Sequence, residues 1–142
     1  MDKSIIIRPL EIEDFHCGYM ELLSQLTEVG EVSFVDFQQA FKRVPNIFIM
    51  FDQESQKVVA SATLLMEQKF IHQCSHVGHI EDVVVDSSQR GKGLGKELIN
   101  YLMEKAKQAQ CYKVILDCDQ DKISFYQKCG LTEKGIEMAK YF

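Results

Sequence analysis

A glycine-rich turn with three basic side chains is the part of this sequence whose composition most directly suggests chemistry. The run Arg90-Gly91-Lys92-Gly93-Leu94-Gly95-Lys96 lies between an apolar stretch and a segment of helical periodicity. At such junctions backbone N–H groups and the helix dipole hold phosphates, and glycines let the backbone approach the anion closely. Because Glu97 follows Lys96, and because the glycines alternate as G-x-G-x-G, the turn is neither a Walker A loop nor a Rossmann fingerprint.

The charge at this turn helps to decide between two interpretations. Glycines alone are equally typical of a flexible connection whose basic residues are solvated. The chain carries a formal net charge of -5, yet it concentrates three cations at one helix start. Charge-assisted hydrogen bonds to a polyphosphate explain this concentration better than solvation does. The turn is therefore predicted to bind a ligand that carries a polyphosphate.

The elements that must position this turn are predicted from hydrophobic periodicity. Strands are predicted at residues 5–10, 47–51, 58–66, 76–85 and 114–116, with room for one or two more in 131–142, and helices at 15–26, 34–41, 94–109 and 123–129. The continuous apolar run at 114–116 is typical of a strand buried on both faces. The order βααβββαβαβ predicts one mixed α/β domain over residues 1–142, with a mostly antiparallel central sheet and about four helices.

Composition excludes several classes of protein. A net charge of -5 argues against nonspecific binding to nucleic acid, which requires a basic face. The five cysteines form no C-x-x-C pair, so neither a disulfide framework nor a zinc site is expected, and a reducing, cytoplasmic compartment fits best. Met1 is followed at once by Asp2 and Lys3, and no apolar run approaches the roughly 20 residues of a bilayer span. No export signal, membrane anchor or metal is therefore predicted.

Several blocks of the sequence resemble one enzyme family. The run Gln89-Arg90-Gly91-Lys92-Gly93-Leu94-Gly95 resembles the Q/R-x-x-G-x-G/A loop of the GNAT superfamily of acetyltransferases, and the order of elements is similar. Three longer blocks resemble the glucosamine 6-phosphate N-acetyltransferases within that superfamily: Gly78-His79-Ile80-Glu81-Asp82-Val83-Val84-Val85, Cys111-Tyr112-Lys113-Val114-Ile115-Leu116-Asp117-Cys118 and Phe125-Tyr126-Gln127-Lys128-Cys129-Gly130. The resemblance covers nearly the whole chain. It implies the GNAT acyl-CoA N-acyltransferase fold, acetyl-CoA as cosubstrate and glucosamine 6-phosphate as acceptor, on the route to UDP-N-acetylglucosamine.

The resemblance also implies which residues meet acetyl-CoA. Transfer of an acetyl group to an amine needs a deprotonated amine, a polarised carbonyl and a proton for the departing thiolate. The family places the pyrophosphate on the glycine-rich turn, and the pantetheine along the main chain of residues 83–85. It makes Tyr126 the acid for the thiolate, with an ordinary pKa near 10 that is close to that of a thiol. From the residues alone, a Phe-Tyr pair that packs a helix against the sheet is the commoner interpretation.

The acceptor side has several candidates. In a regular strand Glu81 and Asp82 face opposite sides, and only a bulge, which the family has here, changes this. Both are either solvated carboxylates or ligands of the sugar and amine, and the second interpretation is favoured. Asp117 ends a strand predicted to be buried, so its carboxylate is not expected to be simply solvated. The resemblance implies catalytic roles for Glu81 and Asp117, and it adds Thr27, Lys69, His72, Tyr112 and Lys113 to the acceptor side. His72 alone is equally consistent with a surface histidine in a hairpin.

Some features depart from the family or leave the interpretation open. Lys140 stands near where family members commonly end with an arginine that contributes to the substrate phosphate pocket. It is the candidate substitute in that pocket, but a lysine lacks the bidentate reach of a guanidinium. Lys122 stands where the family often has an asparagine near CoA. The general base stays unassigned, and Cys111, Cys118 and Cys129 are expected to be buried as small hydrophobes. The resemblance implies a homodimer that exchanges C-terminal strands.

Two alternatives to the implied function remain. In the first, this chain is a related enzyme that acetylates another amine, such as a polyamine, a protein N-terminus or a different amino sugar. In the second, it is a catalytically inactive module that binds acyl-CoA as a sensor or interaction partner.

Overall fold

Across residues 3–142, which the computed structural model describes, five strands form one mixed sheet. The strands are β1 (Ile5–Pro9), β2 (Asn46–Asp52), β3 (Lys57–Gln68), β4 (His76–Val85) and β5 (Cys111–Ile115); the α-helices are α1 (Tyr19–Leu23), α2 (Phe34–Phe41), α3 (Ile71–Cys74), α4 (Leu94–Gln108) and α5 (Ile123–Lys128). The spatial order is β1-β2-β3-β4-β5, antiparallel except for the parallel pair β4 and β5. This confirms the predicted mixed, mostly antiparallel sheet. Met1 and Asp2, used above to argue against an export signal, lie outside the described residues.

Two apolar layers enclose the sheet. On one side α4 buries the five residues that recur at helical spacing, Leu94, Leu98, Ile99, Leu102 and Ala106. On the other side α1 and α2 contribute Tyr19, Leu22 and Phe37 to a second cluster, against which Phe15 of a 3-10 turn (Ile12–Cys17) packs. Burial of one such large apolar side chain stabilises the fold by about 1.5–3 kcal/mol, so both layers hold β3 and β4 firmly. Within residues 3–142, no helix is both long and apolar enough to cross a membrane.

The predicted helix over residues 15–26 is wrong in its extent. Gly18 has a left-handed φ of 82°, which ends the 3-10 turn and starts the short helix α1. The 3-10 turn is fixed by Asp14, which is 2% exposed and receives two hydrogen bonds of 2.8 Å from the Arg8 guanidinium. A bidentate pair of this kind fixes both distance and orientation. Periodicity alone did not reveal this break.

The C-terminal part differs most from the prediction. The strand expected to be buried on both faces is β5, which lies at the edge of the described sheet with Lys113 and Ile115 exposed. Residues 131–142, predicted to hold one or two strands, form none. The exposure of β5 and the lack of strands in 131–142 have the same physical reason. No further strand of the described chain pairs with the outer edge of β5. The segment leaves Ile136 and Met138 about 90% exposed.

Candidate active site

A bulge in β4 brings two carboxylates into one cleft. Ser61 pairs with Val84 and Thr63 pairs with Glu81, so two residues of β4 oppose one residue of β3. Asp82 takes up the extra length with a left-handed φ of 52°. A non-glycine residue in this region is strained, which indicates that the surrounding fold imposes the conformation. Because of the bulge, Glu81 and Asp82 both line the same cavity instead of facing opposite sides.

Strand β4 is unpaired along the half that follows the parallel ladder. The β4–β5 pairing ends at His79 and Ile115, and β4 then continues to Val85 with no partner on that side among residues 3–142. The open main chain around Val83 and Val85 lines the cleft. A free strand edge offers N–H and C=O groups to an extended ligand. Strands β4 and β5 therefore separate after His79.

The glycine-rich turn begins α4 in a conformation that favours glycine. Gly91 and Gly93 have φ values of 81° and 82°, and a Cβ at either position would have no atom of the described chain within 4 Å. These glycines therefore serve the backbone conformation and leave space above it. Gly93 is the N-cap of α4 and supplies no side-chain cap, so the first N–H groups of the helix are available to an anion.

The basic residues of the turn differ in where they point. Arg90 and Lys96 line the cleft, and the Arg90 Nε also donates to the Val85 carbonyl at 3.2 Å. Lys92 does not line the cleft, and its Nζ donates to Gln89 Oε1 at 3.0 Å. Two of the three predicted cations thus face the open space beside the helix start.

Gly95 allows α5 to approach α4. A Cβ at Gly95 would lie 3.1 Å from Cζ of Phe125, closer than nearly all real contacts. The Phe125 ring in turn meets the Tyr126 ring edge-on, with centroids 4.9 Å apart. The third glycine of the turn therefore places Tyr126 beside the start of α4.

Tyr126 is a half-buried hydroxyl that keeps its proton. Burial raises the pKa of Tyr126 to about 12, with further contributions from the nearby Cys118, Cys129 and Asp117. This is higher than the ordinary tyrosine pKa near 10. At neutral pH the hydroxyl is a proton or hydrogen-bond donor and is not a base.

Two cavities meet at Tyr126. The main cleft has a volume of 960 Å³ and the second cavity 810 Å³, and both are lined by Glu81, Asp117 and Tyr126. Of the residues predicted to bind acetyl-CoA, the main cleft is lined by Val83, Val84, Val85, Arg90, Gly91, Gly93, Leu94, Gly95, Lys96 and Tyr126. Of the predicted acceptor residues, Thr27 and Asp82 also line it, whereas Lys113 lines the second cavity.

The wall between the cavities carries a cluster of acidic groups. Burial and the charges of Asp117 and Asp82 raise the pKa of Glu81. A hydrogen bond and charge repulsion from Asp117 raise the pKa of Glu137. Asp117 itself is exposed, although it follows a strand that the sequence predicts to be buried, because β5 is an edge strand. Such a cluster favours a cation, for example an ammonium group, between the carboxylates.

The remaining predicted acceptor residues lie outside the main cleft. The His72 ring stacks on Tyr112 at a centroid distance of 4.0 Å, and Lys113 Nζ lies 5.6 Å from the centre of the Tyr112 ring. Lys69 Nζ lies 3.1 Å from Glu67 Oε1, the atom that also contacts His79. Lys140 lines neither cavity and lies 5.8 Å from the Phe142 ring. The structure thus groups His72, Tyr112 and Lys113 and leaves Lys140 apart.

Some residues of the site carried no sequence signal. Gln25, Glu67 and Glu137 are single polar residues outside any motif, and only the folded chain shows what they contact. The expectation for the cysteines holds for Cys129, which is buried, and is wrong for Cys118, which is exposed in the cleft wall. Among residues 3–142, no group of three or more His, Cys, Asp or Glu side chains is arranged to hold a metal ion.

Comparisons with known proteins agree with this geometry. The model of the acetyltransferase (GNAT) family matches residues 10–131. The chain is 43% identical to a glucosamine 6-phosphate N-acetyltransferase of Arabidopsis thaliana over 100% of this chain and 99% of that protein. It is 42% identical to glucosamine 6-phosphate N-acetyltransferase 1 of Dictyostelium discoideum, covering 99% and 93%. The crystal structure of the Arabidopsis thaliana glucosamine-6-phosphate N-acetyltransferase superposes with a TM-score of 0.95, at 43% identity and 99% coverage of each chain. The chain therefore belongs to the acetyltransferase (GNAT) family.

Proposed function

We propose that this chain, as a single domain over residues 1–142, transfers the acetyl group of acetyl-CoA to the amine of glucosamine 6-phosphate. The product is N-acetylglucosamine 6-phosphate, a precursor of UDP-N-acetylglucosamine. The observation that carries the proposal is the cleft that joins an uncapped helix start, an open strand edge and an acidic cluster. The names of the full-length relatives support the choice of acceptor.

The residues of the cleft fit acetyl-CoA. The first N–H groups of α4, with Arg90 and Lys96, suit the pyrophosphate, and the open main chain at Val83 and Val85 suits an extended pantetheine arm. When bound, acetyl-CoA supplies an acetyl group activated as a thioester. No metal is required for this chemistry. All five cysteines are free thiols, which supports a reducing, cytoplasmic compartment.

Tyr126 is assigned the proton that the leaving sulfur takes up. The raised pKa of about 12 makes Oη a weaker acid than an ordinary tyrosine, so the proton moves only as negative charge develops on the leaving sulfur. The place of Tyr126 at the junction of the two cavities supports contact with both substrates. General acid catalysis of this kind contributes roughly 10²–10⁴ in rate. The amine attacks directly, so no acetyl-enzyme forms.

The acceptor is assigned to the acidic cluster and the cations next to it. Glu81, Asp82 and Asp117 orient the ammonium group, and Glu81 or Asp117 receives its proton. Lys69, His72 and Lys113 are assigned to the sugar phosphate, with Thr27 and Tyr112 on the sugar. The phosphate lies on the side of the second cavity, since Lys113 lines it.

A second copy of the chain is part of the proposal. Ile136, Met138 and Tyr141 are 90%, 89% and 94% exposed in the described chain, and the outer edge of β5 has no partner there. Exchange of these C-terminal segments in a homodimer covers the exposed apolar side chains and the outer edge of β5. It also carries Lys140 to the acceptor pocket of the partner.

The experiment is thiol release from acetyl-CoA with glucosamine 6-phosphate and with glucosamine at equal concentration. We expect strong preference for the phosphorylated sugar. Lys113→Ala removes much of that preference, and Lys107→Ala on the exposed end of α4 is the matched control. Equal rates with both sugars contradict the phosphate pocket. Release only with polyamines, peptides or another amino sugar replaces the acceptor, and CoA binding without any release indicates an inactive module.

A further inference from the structure

One glutamine side chain bridges two walls of the main cleft that are far apart in sequence. The Gln25 Nε2 donates to Asp86 Oδ1 at 2.7 Å, and the Ser87 N–H donates to Gln25 Oε1 at 2.9 Å. Because a carboxylate only accepts and a backbone N–H only donates, this arrangement fixes which end of the amide faces which partner. Both ends of one side chain are therefore used in a single long-range contact.

The first wall is the segment of residues 24–27 that follows α1. Leu26 and Thr27 line the main cleft, and both are exposed. The other hydrogen bonds of this segment are local and return to the preceding helix, at Met20, Glu21, Leu22 and Leu23. The hydrogen bonds that join residues 24–27 to the connection after β4 therefore come from the Gln25 side chain.

The second wall is the start of the connection between β4 and the glycine-rich turn. The Asp86 N–H donates to the Val59 carbonyl at 2.8 Å, and Asp86 Oδ2 accepts from the Ser88 N–H at 3.0 Å. Ser88 belongs to a 3-10 turn (Ser87–Gln89) that leads directly into Arg90. This wall is anchored to β3 at one end and is continuous with the phosphate-binding turn at the other.

We infer that Gln25 is a positioning residue that couples the glycine-rich turn to the Thr27 wall. An anion on the turn orders Ser87 and its N–H, the Gln25 amide transmits this order, and Thr27 becomes fixed over the cleft. Binding linkage is reciprocal, so an acceptor that contacts Thr27 tightens CoA by the same factor. The identity of the two ligands rests on the proposed function, whereas the bridge does not.

The test is a charge reversal with a designed rescue. Gln25→Glu keeps the bond from the Ser87 N–H but places a carboxylate against Asp86, so the second contact becomes repulsive. Asp86→Asn in the same chain restores a donor to that contact, while its remaining oxygen still accepts from Ser88. Gln108→Glu is the control, since Gln108 is an exposed amide that donates to Glu104 at 3.4 Å on α4, away from both cavities.

The first readout is amide hydrogen exchange of residues 24–30, with and without CoA alone. CoA is expected to slow this exchange about fivefold or more in the parent chain and in Gln108→Glu, a factor typical of coupled sites. The slowing is expected to vanish in Gln25→Glu and to return in Gln25→Glu/Asp86→Asn. A role in stability alone changes exchange equally with and without CoA. Protection by CoA that persists in Gln25→Glu, or fails to return in the double variant, overturns the inference.

The second readout separates this inference from the proposed function. Gln25→Glu is expected to raise the KM for glucosamine 6-phosphate about fivefold or more and to leave kcat nearly unchanged. The double variant is expected to restore this KM. An unchanged KM in Gln25→Glu contradicts the inference while the proposed function stands. Absence of any turnover in the parent chain contradicts the proposed acceptor, and the exchange experiment with CoA still decides the role of Gln25.

Discussion

The region from β4 to α4 and the C-terminal segment 131–142 differ in how they are held. In the first, Leu98, Ile99 and Leu102 are 0% exposed, and the glycine-rich turn is anchored between a buried strand and a buried helix. In the second, the large apolar residues Ile136 and Met138 are about 90% exposed. The proposed donor side of the cleft therefore lies within one chain. The proposed acceptor side ends in a segment that one described chain leaves uncovered, and the proposed second copy covers it.

Removal of the Tyr126 hydroxyl has the largest expected effect on the donor side. Tyr126→Phe is expected to lower kcat by about 10²–10³, since the leaving sulfur loses its proton donor. The affinity for CoA, measured by calorimetry, is expected to change little. Tyr101→Phe removes a hydroxyl from α4, where the ring packs edge-on against Phe48, and serves as the control. If Tyr126→Phe retains parental kcat, the assignment of the acid is wrong.

A pair of glycine substitutions compares the two regions directly. Gly93 and Gly135 both have open space where a Cβ would lie, but only Gly93 has a left-handed φ, of 82°. Gly93→Ala is therefore expected to strain the turn by about 1–2 kcal/mol and to weaken CoA binding about tenfold. Gly135→Ala is expected to leave CoA binding unchanged. Equal effects of both substitutions on the CoA dissociation constant contradict the difference between the regions.

The smallest expected effect concerns the acidic cluster. Burial and neighbouring carboxylates raise the pKa of Glu81, so the folded chain holds this proton more tightly than the unfolded chain does. The free energy of unfolding therefore falls as pH rises through the raised pKa, because ionised Glu81 is unfavourable in the fold. Glu81→Gln is expected to raise Tm by about 2 °C at pH 7, and the gain disappears below the ordinary value of about 4.3. Glu104→Gln on the exposed face of α4 is the control. A gain that grows as pH falls contradicts the direction of the shift.

The sequence predicted those parts of the fold whose cause is local or periodic. The range predicted for β4 matches the structure, α4 ends one residue earlier than predicted, and the turn between them lines the cleft as expected. These elements are specified by apolar spacing and by glycines that must adopt left-handed φ.

The failures of prediction have tertiary causes. The break at Gly18 depends on the Arg8–Asp14 pair, and the exposure of Lys113 and Ile115 depends on the edge position of β5. The Gln25 side chain bonds to Asp86 and Ser87, which follow it by 61 and 62 positions in the chain. No local sequence pattern encodes a contact over such a separation. The bulge was foreseen only through the family resemblance, because the residue types at Glu81 and Asp82 do not require it.

The most direct measurement of the central claim is complementation between two impaired chains. One chain carries Tyr126→Phe, and the other lacks residues 138–142 but retains Tyr126 and Glu137; they are co-expressed with different tags and the heterodimer is isolated. Each chain alone is expected to be slow with glucosamine 6-phosphate. The heterodimer is expected to be about tenfold or more faster than the sum of the two, because the intact C-terminal segment completes the acceptor side of the chain that retains Tyr126. Parental activity of the shortened chain alone, or a heterodimer no faster than the sum, contradicts the claim that a second copy completes the acceptor side.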